Sequence, residues 1–261
     1  MDTPLEKYFA QRVKNLFNNL HDFELNGDEP SLHDLRVEIK KLRAIIKFLG
    51  TIYHKQQLKK PAHLIRSVFQ KAGEVRESQL LQQWLQKHEF GIIEHTYFPQ
   101  EKLDFLVAQF RQNAPRYKDD FKEIVETLSK FVHSTNEILA EQYFTDLNAQ
   151  VEKLCRKNLP GAEWHDLRKL IKQRIYAYNW VRHEAENDDP NFAYYNKLQE
   201  NIGIWHDLEI IKDNFSQKQV YLSQDIEVQK EFNIAWEKLT AAHKYREKHV
   251  EELLARTAIQ D

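Results

Sequence analysis

Apolar residues recur at three- and four-residue steps along almost the whole of this sequence, and that spacing places them on one face of an α-helix. Two segments show it most clearly, one within the first twenty residues and one near the end of the chain. Their apolar positions are Leu5, Phe9, Val13, Leu16 and Leu20, and then Val228, Phe232, Trp236 and Leu239. The pattern predicts an all-α protein of nine or ten helices.

The composition agrees with helices and excludes several other classes of protein. The 261 residues include only 6 glycines and 7 prolines, too few for the many turns of a β-sandwich or barrel, or for a glycine-rich phosphate loop. The single cysteine, Cys155, excludes an internal disulfide framework and a zinc site built on two cysteines. Met1–Leu20 is too charged for a signal peptide, and no apolar run could span a membrane, so we expect a cytoplasmic protein.

Helix boundaries are predicted from capping residues and from glycine and proline. Ser31, with an acid three residues later, is predicted to cap a helix over about Leu32–Leu49, and Gly50 follows its end. Pro61 is predicted to open another helix, which Gly73 interrupts. Further breaks are predicted near Gly91, Pro99, Pro115, Pro160-Gly161 and Asp188-Asp189-Pro190, followed by a last helix over Tyr221–Leu254.

An internal repeat relates the two halves of the sequence. His33-Asp34-Leu35-Arg36 recurs 132 positions later as His165-Asp166-Leu167-Arg168, and Lys40 recurs as Lys172 at the same offset. A second motif that begins at Gly73 recurs 130 positions later at Gly203. Two features in the same order at nearly the same offset predict two related halves, 1–130 and 131–261, of about four helices each. We expect them to pack as one pseudo-symmetric domain over 1–261.

The first copy of the repeat carries a row of cations along one side of its predicted helix. At about 100° per residue, five side chains fall within about 80° of one another, at spacings of three and four residues. We call them the first basic face, and they are His33, Arg36, Lys40, Arg43 and Lys47. A separate apolar seam, predicted to pack in the core, consists of Leu35, Ile39, Leu42, Ile46 and Leu49.

The second copy repeats this pattern with fewer charges. Its second basic face consists of His165, Arg168 and Lys172, followed on the same side by Tyr176. Ile175 stands at the position that matches Arg43 in the first copy, so the second face lacks that cation. Arg174 lies near the opposite side of an ideal helix, and the spacing leaves open whether it joins the face.

Two interpretations of these rows of charge compete. Like charges at this spacing repel by about 0.2–0.5 kcal/mol per pair, so the chain must supply either acidic neighbours or an anionic ligand. A solvated helix face is the usual reading of a single row. Acids that could pair with the cations lie in the second repeated motif, at Glu74, Glu77, Asp207 and Glu209. The duplication favours a ligand, because two rows with the same order of residues would both have to be incidental.

These motifs resemble the signature of the CHAD family, the conserved histidine α-helical domain. The segment from His33 to Arg43 resembles the family's first motif, and His165 to Lys172 is similar to its second copy. Ala72-Gly73-x-x-Arg76-Glu77 and Leu198-Gln199-x-x-Ile202-Gly203-x-x-His206-Asp207-Leu208 resemble the segments that follow the two copies. The resemblance covers essentially the whole chain. It does not include the Glu-x-Glu-x-Lys motif of the CYTH triphosphatase domain, which often accompanies the family.

The resemblance implies two four-helix bundles related by a pseudo-twofold axis, with basic residues lining a cavity between them. It also implies binding of inorganic polyphosphate without catalysis, cofactor or metal, so the protein could associate with polyphosphate granules. With the first basic face, it gives the predicted polyphosphate-binding residues His33, Arg36, Lys40, Lys41, Arg43, Lys47, Arg76, His165, Arg168, Lys172, Tyr176 and Lys197.

The sequence departs from the family pattern at four positions. Ile175 replaces an expected arginine, and His206 replaces an expected asparagine. Glu77 and Gln79 stand where the family prefers two aspartates. These departures concern the strength of anion binding, and whether His206 joins the site is left open.

Three other functions remain possible from the residues. Four His-Asp dipeptides, beginning at His21, His33, His165 and His206, allow a metal-dependent phosphohydrolase of the His-Asp class. Adjacent residues of a helix point about 100° apart, however, which disfavours a shared metal. A nucleic-acid-binding protein is disfavoured by the formal net charge of −2 and by the lack of aromatic residues between the cations. A helical scaffold without a ligand is the third alternative.

Overall fold

The protein is described by a computed structural model over residues 2–157, 159–181, 191–219 and 224–257. Within these ranges it is all-α, with ten helices and no strand, which confirms the predicted fold class. The helices are α1 Pro4–Asn26, α2 Glu29–Ile52, α3 Lys55–Lys87, α4 Gly91–Tyr97, α5 Gln100–Gln112, α6 Ala114–His133, α7 Glu137–Cys155, α8 Gly161–Val181, α9 Phe192–Gln219 and α10 Ile226–Thr257. No described helix is both long and apolar enough to cross a lipid bilayer.

The predicted ends of α2 were wrong at both termini. The helix is capped by Asp28, whose carboxylate accepts a hydrogen bond of 2.8 Å from the backbone N–H of Ser31. Ser31 itself lies inside the first turn, because Pro30 fits that turn without losing a hydrogen bond. At the other end the helix passes through Gly50 and stops at Ile52, so Gly50 is not a cap.

The helix α3 also continues through two residues that were predicted to begin or interrupt it. Pro61 lies inside the helix and is buried, so packing offsets the backbone hydrogen bond that proline cannot donate. Gly73 is helical as well, and an arginine side chain lies beside it, as described below. The predicted breaks near Gly91, Pro99, Pro115 and Pro160-Gly161 are confirmed by the ends of α3 to α8.

Two predictions fall partly or wholly outside the described residues. The break at Asp188-Asp189-Pro190 lies outside them. The start predicted at Tyr221 also lies outside them, and α10 is described from Ile226 onward. In α10 the apolar positions Val228, Phe232 and Leu239 are buried, as predicted.

The chain forms two compact units, each built from three separated stretches of sequence. The first unit comprises Met1–Arg76, Leu106–Val151 and Lys172–Phe192, and the second comprises Glu77–Phe105, Glu152–Ile171 and Ala193–Asp261. These boundaries differ from 1–130 and 131–261, which were drawn from the repeat and stay a prediction, as does the pair of four-helix bundles around a cavity. Helices α3, α5, α7 and α8 each contribute residues to both units.

Each unit has its own apolar core. In the first unit α1 packs against α2 and α6, and the predicted apolar seam of α2 is fully buried there, with Leu35, Ile39, Leu42 and Leu49 at 0% exposure. In the second unit an aromatic cluster joins α3, α4, α9 and α10. Its largest members are Trp84, Phe90, Phe98, Phe215 and Phe232. Trp164 and Trp180 are buried core residues as well.

Candidate anion-binding site

The first basic face lies on the side of α2 away from the apolar seam, as the spacing predicts. His33, Arg43 and Lys47 are exposed, and Arg36 and Lys40 are half-buried. The helix that buries Leu35 and Leu42 therefore holds five cationic or titratable side chains in a row on another side. This separation is what a 3.6-residue period dictates for an amphipathic helix.

A phenylalanine of α3 lies at the centre of this face. The ring of Phe69 has three cations within 6 Å of its centroid. The guanidinium carbons of Arg36 and Arg43 lie 4.5 and 4.7 Å from the centroid, and the ammonium of Lys40 lies 5.9 Å from it. All three are within the range of a cation–π interaction. Nothing in the sequence distinguishes Phe69, because an isolated aromatic residue on a helix is usually a core residue.

A further cation, Arg66, stands beside the face. It lies three residues before Phe69, on the same side of α3. Burial lowers the pKa of Arg43, and the nearby charge of Arg66 lowers it further. Among the described residues, no carboxylate forms an ion pair with Arg43, which contacts the Phe69 ring instead. Arg66 carried no motif signal, so only the packing of α3 on α2 reveals it.

Two of the predicted basic residues are engaged by carboxylates. Lys41 donates a hydrogen bond of 2.9 Å to Glu38, which is 4% exposed and also accepts from Arg12 at 3.2 Å. Lys41 therefore points to a buried acid and away from the first basic face. Arg76 pairs with Glu29 at the start of α2. These two cations have local partners that hold them in place.

The helix α8 contributes two predicted residues to the first unit. Lys172 and Tyr176 belong to the first unit, whereas His165 and Arg168 of the same motif belong to the second. Lys172 lies close enough to His33 to affect its titration. Burial lowers the pKa of His33 most, followed by the charges of Arg76, Lys40 and Lys172, while Asp34 opposes them. Lys172 thus adds positive charge near the N-terminal end of the first basic face.

Tyr176 occupies a different environment. It is half-buried, and its phenol lies near that of Tyr8 on α1. The pKa of Tyr8 is raised, mainly by burial and partly by Tyr176, so the Tyr8 phenol is neutral at physiological pH. The structure thus places Tyr176 among aromatic residues of the first unit.

The two arginines of the repeat make the same packing contact in the two units. Arg36 Nη1 donates to the carbonyl oxygen of Phe69 at 3.3 Å, and Arg168 Nε donates to that of Gln199 at 3.0 Å. In both cases the carbonyl lies four residues before the glycine of the second motif.

The glycine of each pair leaves room for the guanidinium. A Cβ at Gly73 would lie 3.2 Å from Arg36 Nη1, and one at Gly203 would lie 2.8 Å from Arg168 Nη2. Both approaches are tighter than ordinary van der Waals contact, more so at Gly203, so glycine lets the arginine cross the neighbouring helix closely. The two repeated motifs therefore occur together because they form one arginine–glycine contact.

Two histidines meet in the second unit. The rings of His165 and His206 lie 4.3 Å apart, centroid to centroid. Burial, together with the charges of His206, Lys169 and Arg168, lowers the pKa of His165 to about 4. His165 is therefore neutral at pH 7. His206 does lie beside a predicted site residue, although the sequence left its role open.

Two further positions of the second copy, Ile175 and Arg174, add no exposed cation. Ile175 is 9% exposed and belongs to the apolar core. Arg174 is 2% exposed, and its Nε donates to Asn148 at 2.8 Å, so it does not join the second basic face. Lys197 is exposed on α9. Over the described ranges, no group of three or more histidine, cysteine, aspartate or glutamate side chains could hold a metal ion.

Comparison with known proteins identifies the fold. The crystal structure of the CHAD domain from the plant Ricinus communis superimposes with a TM-score of 0.79 at 16% sequence identity, covering 100% of this chain and 93% of that one. At this identity the match shows the fold alone. The comparison with curated proteins gives no match. The family model of the CHAD domain matches residues 7–214, most of the 261-residue chain. On this evidence the chain belongs to the CHAD domain family.

Proposed function

We propose that this protein binds inorganic polyphosphate through the first basic face and does not turn it over. The observation that carries the proposal is the convergence of Arg36, Lys40 and Arg43 on the single ring of Phe69. A ring contact leaves the charge of a cation in place, whereas a carboxylate neutralises it. The CHAD family, to which the chain belongs, is associated with polyphosphate.

The dimensions of the face suit a linear polyanion. From His33 to Lys47 it extends about 21 Å along α2, at about 1.5 Å per residue. A chain of phosphates could contact several of its cations at once, whereas orthophosphate could contact one or two. Arginine can hold phosphate oxygens with two parallel hydrogen bonds, and lysine acts as a mobile point charge. Each contact also releases counterions from the polyanion, as in nucleic-acid binding.

The overall charge does not oppose this proposal. The formal net charge is −2, but the acids and the cations are not evenly distributed. Glu38 and Glu29 engage Lys41 and Arg76, while Arg43 faces Arg66 and the Phe69 ring. A local positive field can therefore exist on a protein of near-zero net charge.

The decisive experiment compares two triple variants of equal charge change. Lys40→Gln/Arg43→Gln/Lys47→Gln removes three cations from the first basic face and leaves Arg36 in its packing contact. Lys118→Gln/Lys122→Gln/Lys130→Gln removes three exposed cations of α6. We expect the first variant to bind long-chain polyphosphate at least tenfold more weakly in a calorimetric or filter assay. The α6 variant should stay within about twofold of the wild type.

Three further measurements distinguish the alternatives. The logarithm of the polyphosphate association constant should fall linearly and steeply with the logarithm of salt concentration. RNA should compete poorly at equal phosphate concentration. Orthophosphate should not appear on incubation with polyphosphate. Equal losses in both triple variants would show nonspecific attraction, and phosphate release abolished by His165→Gln would identify a hydrolase instead.

A further inference from the structure

The Phe69 ring has an unusual set of neighbours. Three cations from α2 contact it, at 4.5, 4.7 and 5.9 Å from its centroid, and its own backbone carbonyl accepts a hydrogen bond from Arg36. The ring is half-buried on α3. A ring that only filled space in the core would contact apolar side chains, as Phe17 contacts Phe121 at 6.4 Å between centroids.

The physical effect of a ring differs from that of a carboxylate. The face of an aromatic ring carries a partial negative potential, which attracts a guanidinium or an ammonium by about 0.5–2 kcal/mol. It carries no formal charge, so the cations keep theirs. The ring face also takes none of the strong N–H hydrogen bonds that a carboxylate oxygen would accept. A contact with a ring therefore positions a cation without occupying its N–H groups.

We propose that Phe69 is the positioning residue of the anion site, holding Arg36, Lys40 and Arg43 as one preformed array. The ligand part of this inference rests on the proposed polyphosphate binding, whereas the positioning part concerns the unliganded protein and stands without it. Fixing three long side chains before binding lowers the conformational entropy that the ligand would otherwise have to overcome.

The second copy of the repeat supports the assignment by contrast. The position that corresponds to Phe69, four residues before the glycine, is Gln199. The side chain of Gln199 donates to Asn196 at 2.9 Å. Only the first copy therefore has an aromatic ring at this position, and only the first copy has an arginine at the position of Arg43. The ring and the extra cation occur together.

The experiment uses four variants of the full-length chain. Phe69→Leu removes the ring and keeps an apolar side chain, and Phe69→Tyr keeps the ring. Phe69→pentafluorophenylalanine keeps the shape and reverses the sign of the potential on the ring face. Phe17→Leu is the matched control, because Phe17 is a half-buried phenylalanine of the first unit that packs against another ring.

The first measurement is the affinity for long-chain polyphosphate at low salt. We expect Phe69→Leu and the fluorinated variant to bind about tenfold more weakly, Phe69→Tyr to bind within about twofold of the wild type, and Phe17→Leu to be unchanged. Wild-type affinity in the fluorinated variant would overturn the proposal even if Phe69→Leu were too unstable to measure. Equal losses in Phe69→Tyr and Phe69→Leu would overturn it as well.

The second measurement is the melting temperature of the unliganded protein at 0.02 and 1 M salt. Without the ring, its attraction no longer offsets the repulsion among the three cations. Salt screens this repulsion, with a Debye length of about 3 Å at 1 M. We expect the loss of melting temperature in Phe69→Leu to shrink at high salt and the loss in Phe17→Leu to stay constant. If salt changes the two losses equally, the positioning role is overturned. If the salt effect appears but the wild type does not bind polyphosphate, the positioning role stands and the proposed function fails.

Discussion

In the first unit Arg36 crosses α3 beside Gly73, and in the second unit Arg168 crosses α9 beside Gly203. Each arginine donates to a carbonyl oxygen four residues before its glycine, so the two copies of the motif build the same helix-to-helix contact. What surrounds that contact differs. Phe69 and a further arginine accompany Arg36, whereas the matching sequence positions of the second copy hold an amide, Gln199, and a buried isoleucine, Ile175.

This difference separates two roles that one motif combines. The arginine–glycine pair is a packing element, and both copies of the motif contain it. The charge offered to a ligand depends instead on the positions around the pair. In the first copy Arg43 adds a cation and Phe69 a ring that contacts it, whereas Ile175 and Gln199 stand at these positions in the second. A family signature can therefore mark the fold more reliably than it marks the binding surface.

The largest expected effect on stability comes from exchanging arginine and isoleucine at the position where the two copies of the repeat differ most. Ile175→Arg places a charge at a side chain that is 9% exposed, and we expect it to lower the free energy of unfolding by at least about 3 kcal/mol. Arg43→Ile, at an exposed position, should change it by less than about 1 kcal/mol. Urea unfolding measures both, with Ile175→Val as the control for volume. An unchanged midpoint in Ile175→Arg would show that the second copy can also hold a cation there.

The two glycines provide the next comparison. Alanine at 203 would bring a Cβ to 2.8 Å from Arg168 Nη2 and 3.0 Å from Nε, forcing the guanidinium away from the Gln199 carbonyl. We expect Gly203→Ala to cost about 1–2 kcal/mol, because the lost charged hydrogen bond exceeds the gain in helix propensity. At Gly73 the approach is 3.2 Å and to one atom only, so Gly73→Ala should be near neutral.

Thermal melts of the two glycine variants decide this point. Gly73→Ser and Gly203→Ser extend the series by a slightly larger side chain and should keep the same order. Equal melting temperatures for Gly73→Ala and Gly203→Ala would mean that Arg168 can move away without loss, and the arginine–glycine contact would then not explain the repeat.

The sequence predicted the parts of this fold that depend on short-range periodicity. The apolar seam of α2 and the breaks near Gly91 and Pro99 follow from residues within one or two helical turns of each other. The predicted start of α2 failed because Ser31 and Asp28 are both good caps. The position of Pro30 decides between them only when the first turn is built.

The candidate site could be predicted only in part, because its remaining members come from distant segments. Phe69 meets Arg36 across 33 positions of sequence, and nothing local distinguishes it from a core phenylalanine. Lys41 follows Lys40 directly, yet it points to the buried Glu38. Side chains one residue apart on a helix point about 100° away from each other, which puts Lys41 beside Glu38, three residues before it, and off the first basic face. Spacing alone could have excluded Lys41, whereas the contact between Phe69 and Arg36 depends on how α3 packs against α2.

The loss of stability at acid pH should differ between variants at the histidines of the two copies. Burial lowers the folded-state pKa of His165 to about 4, against about 6.5 in the unfolded chain. Between those values the unfolded chain binds a proton that the folded chain does not, so stability falls as pH drops from about 6.5 to 4. His165→Gln should therefore lose less stability than the wild type over that range. His54→Gln, at an exposed position, is the control.

The pKa of His33 is shifted in the same direction as that of His165, and this shift should make polyphosphate affinity depend on pH. Burial and the charges of Arg76 and Lys40 lower its pKa, and a bound polyanion would counteract those charges. Binding should then take up protons, and polyphosphate affinity should rise as pH falls below about 6.5. His33→Gln should flatten this dependence, and His165→Gln should flatten it less. Identical pH profiles for the two variants would show that the copies do not differ in this respect.

The smallest effect on stability is expected at Arg43, and it tests whether the first basic face serves a ligand or the fold. Burial and Arg66 already disfavour its charge, which offsets the contact with the Phe69 ring. Arg43→Gln should therefore change the free energy of unfolding of the unliganded protein by less than about 0.5 kcal/mol. Arg168→Gln, in contrast, loses the charged hydrogen bond to Gln199 and should cost about 1–2 kcal/mol.

Polyphosphate should stabilise Arg43→Gln less than Arg168→Gln, although Arg43→Gln is the more stable of the two without the ligand. A ligand at about 100 times its dissociation constant adds about 2.7 kcal/mol to the native state, so the melting temperature of the wild type should rise in its presence. Arg43→Gln should gain less than the wild type, because it removes a cation from the array that contacts the ligand. Arg168→Gln should gain nearly as much as the wild type despite its lower starting point, because its arginine packs a helix in the second unit. If Arg43→Gln loses more than about 1 kcal/mol without ligand and still gains fully with it, the first basic face stabilises the fold and polyphosphate binds elsewhere.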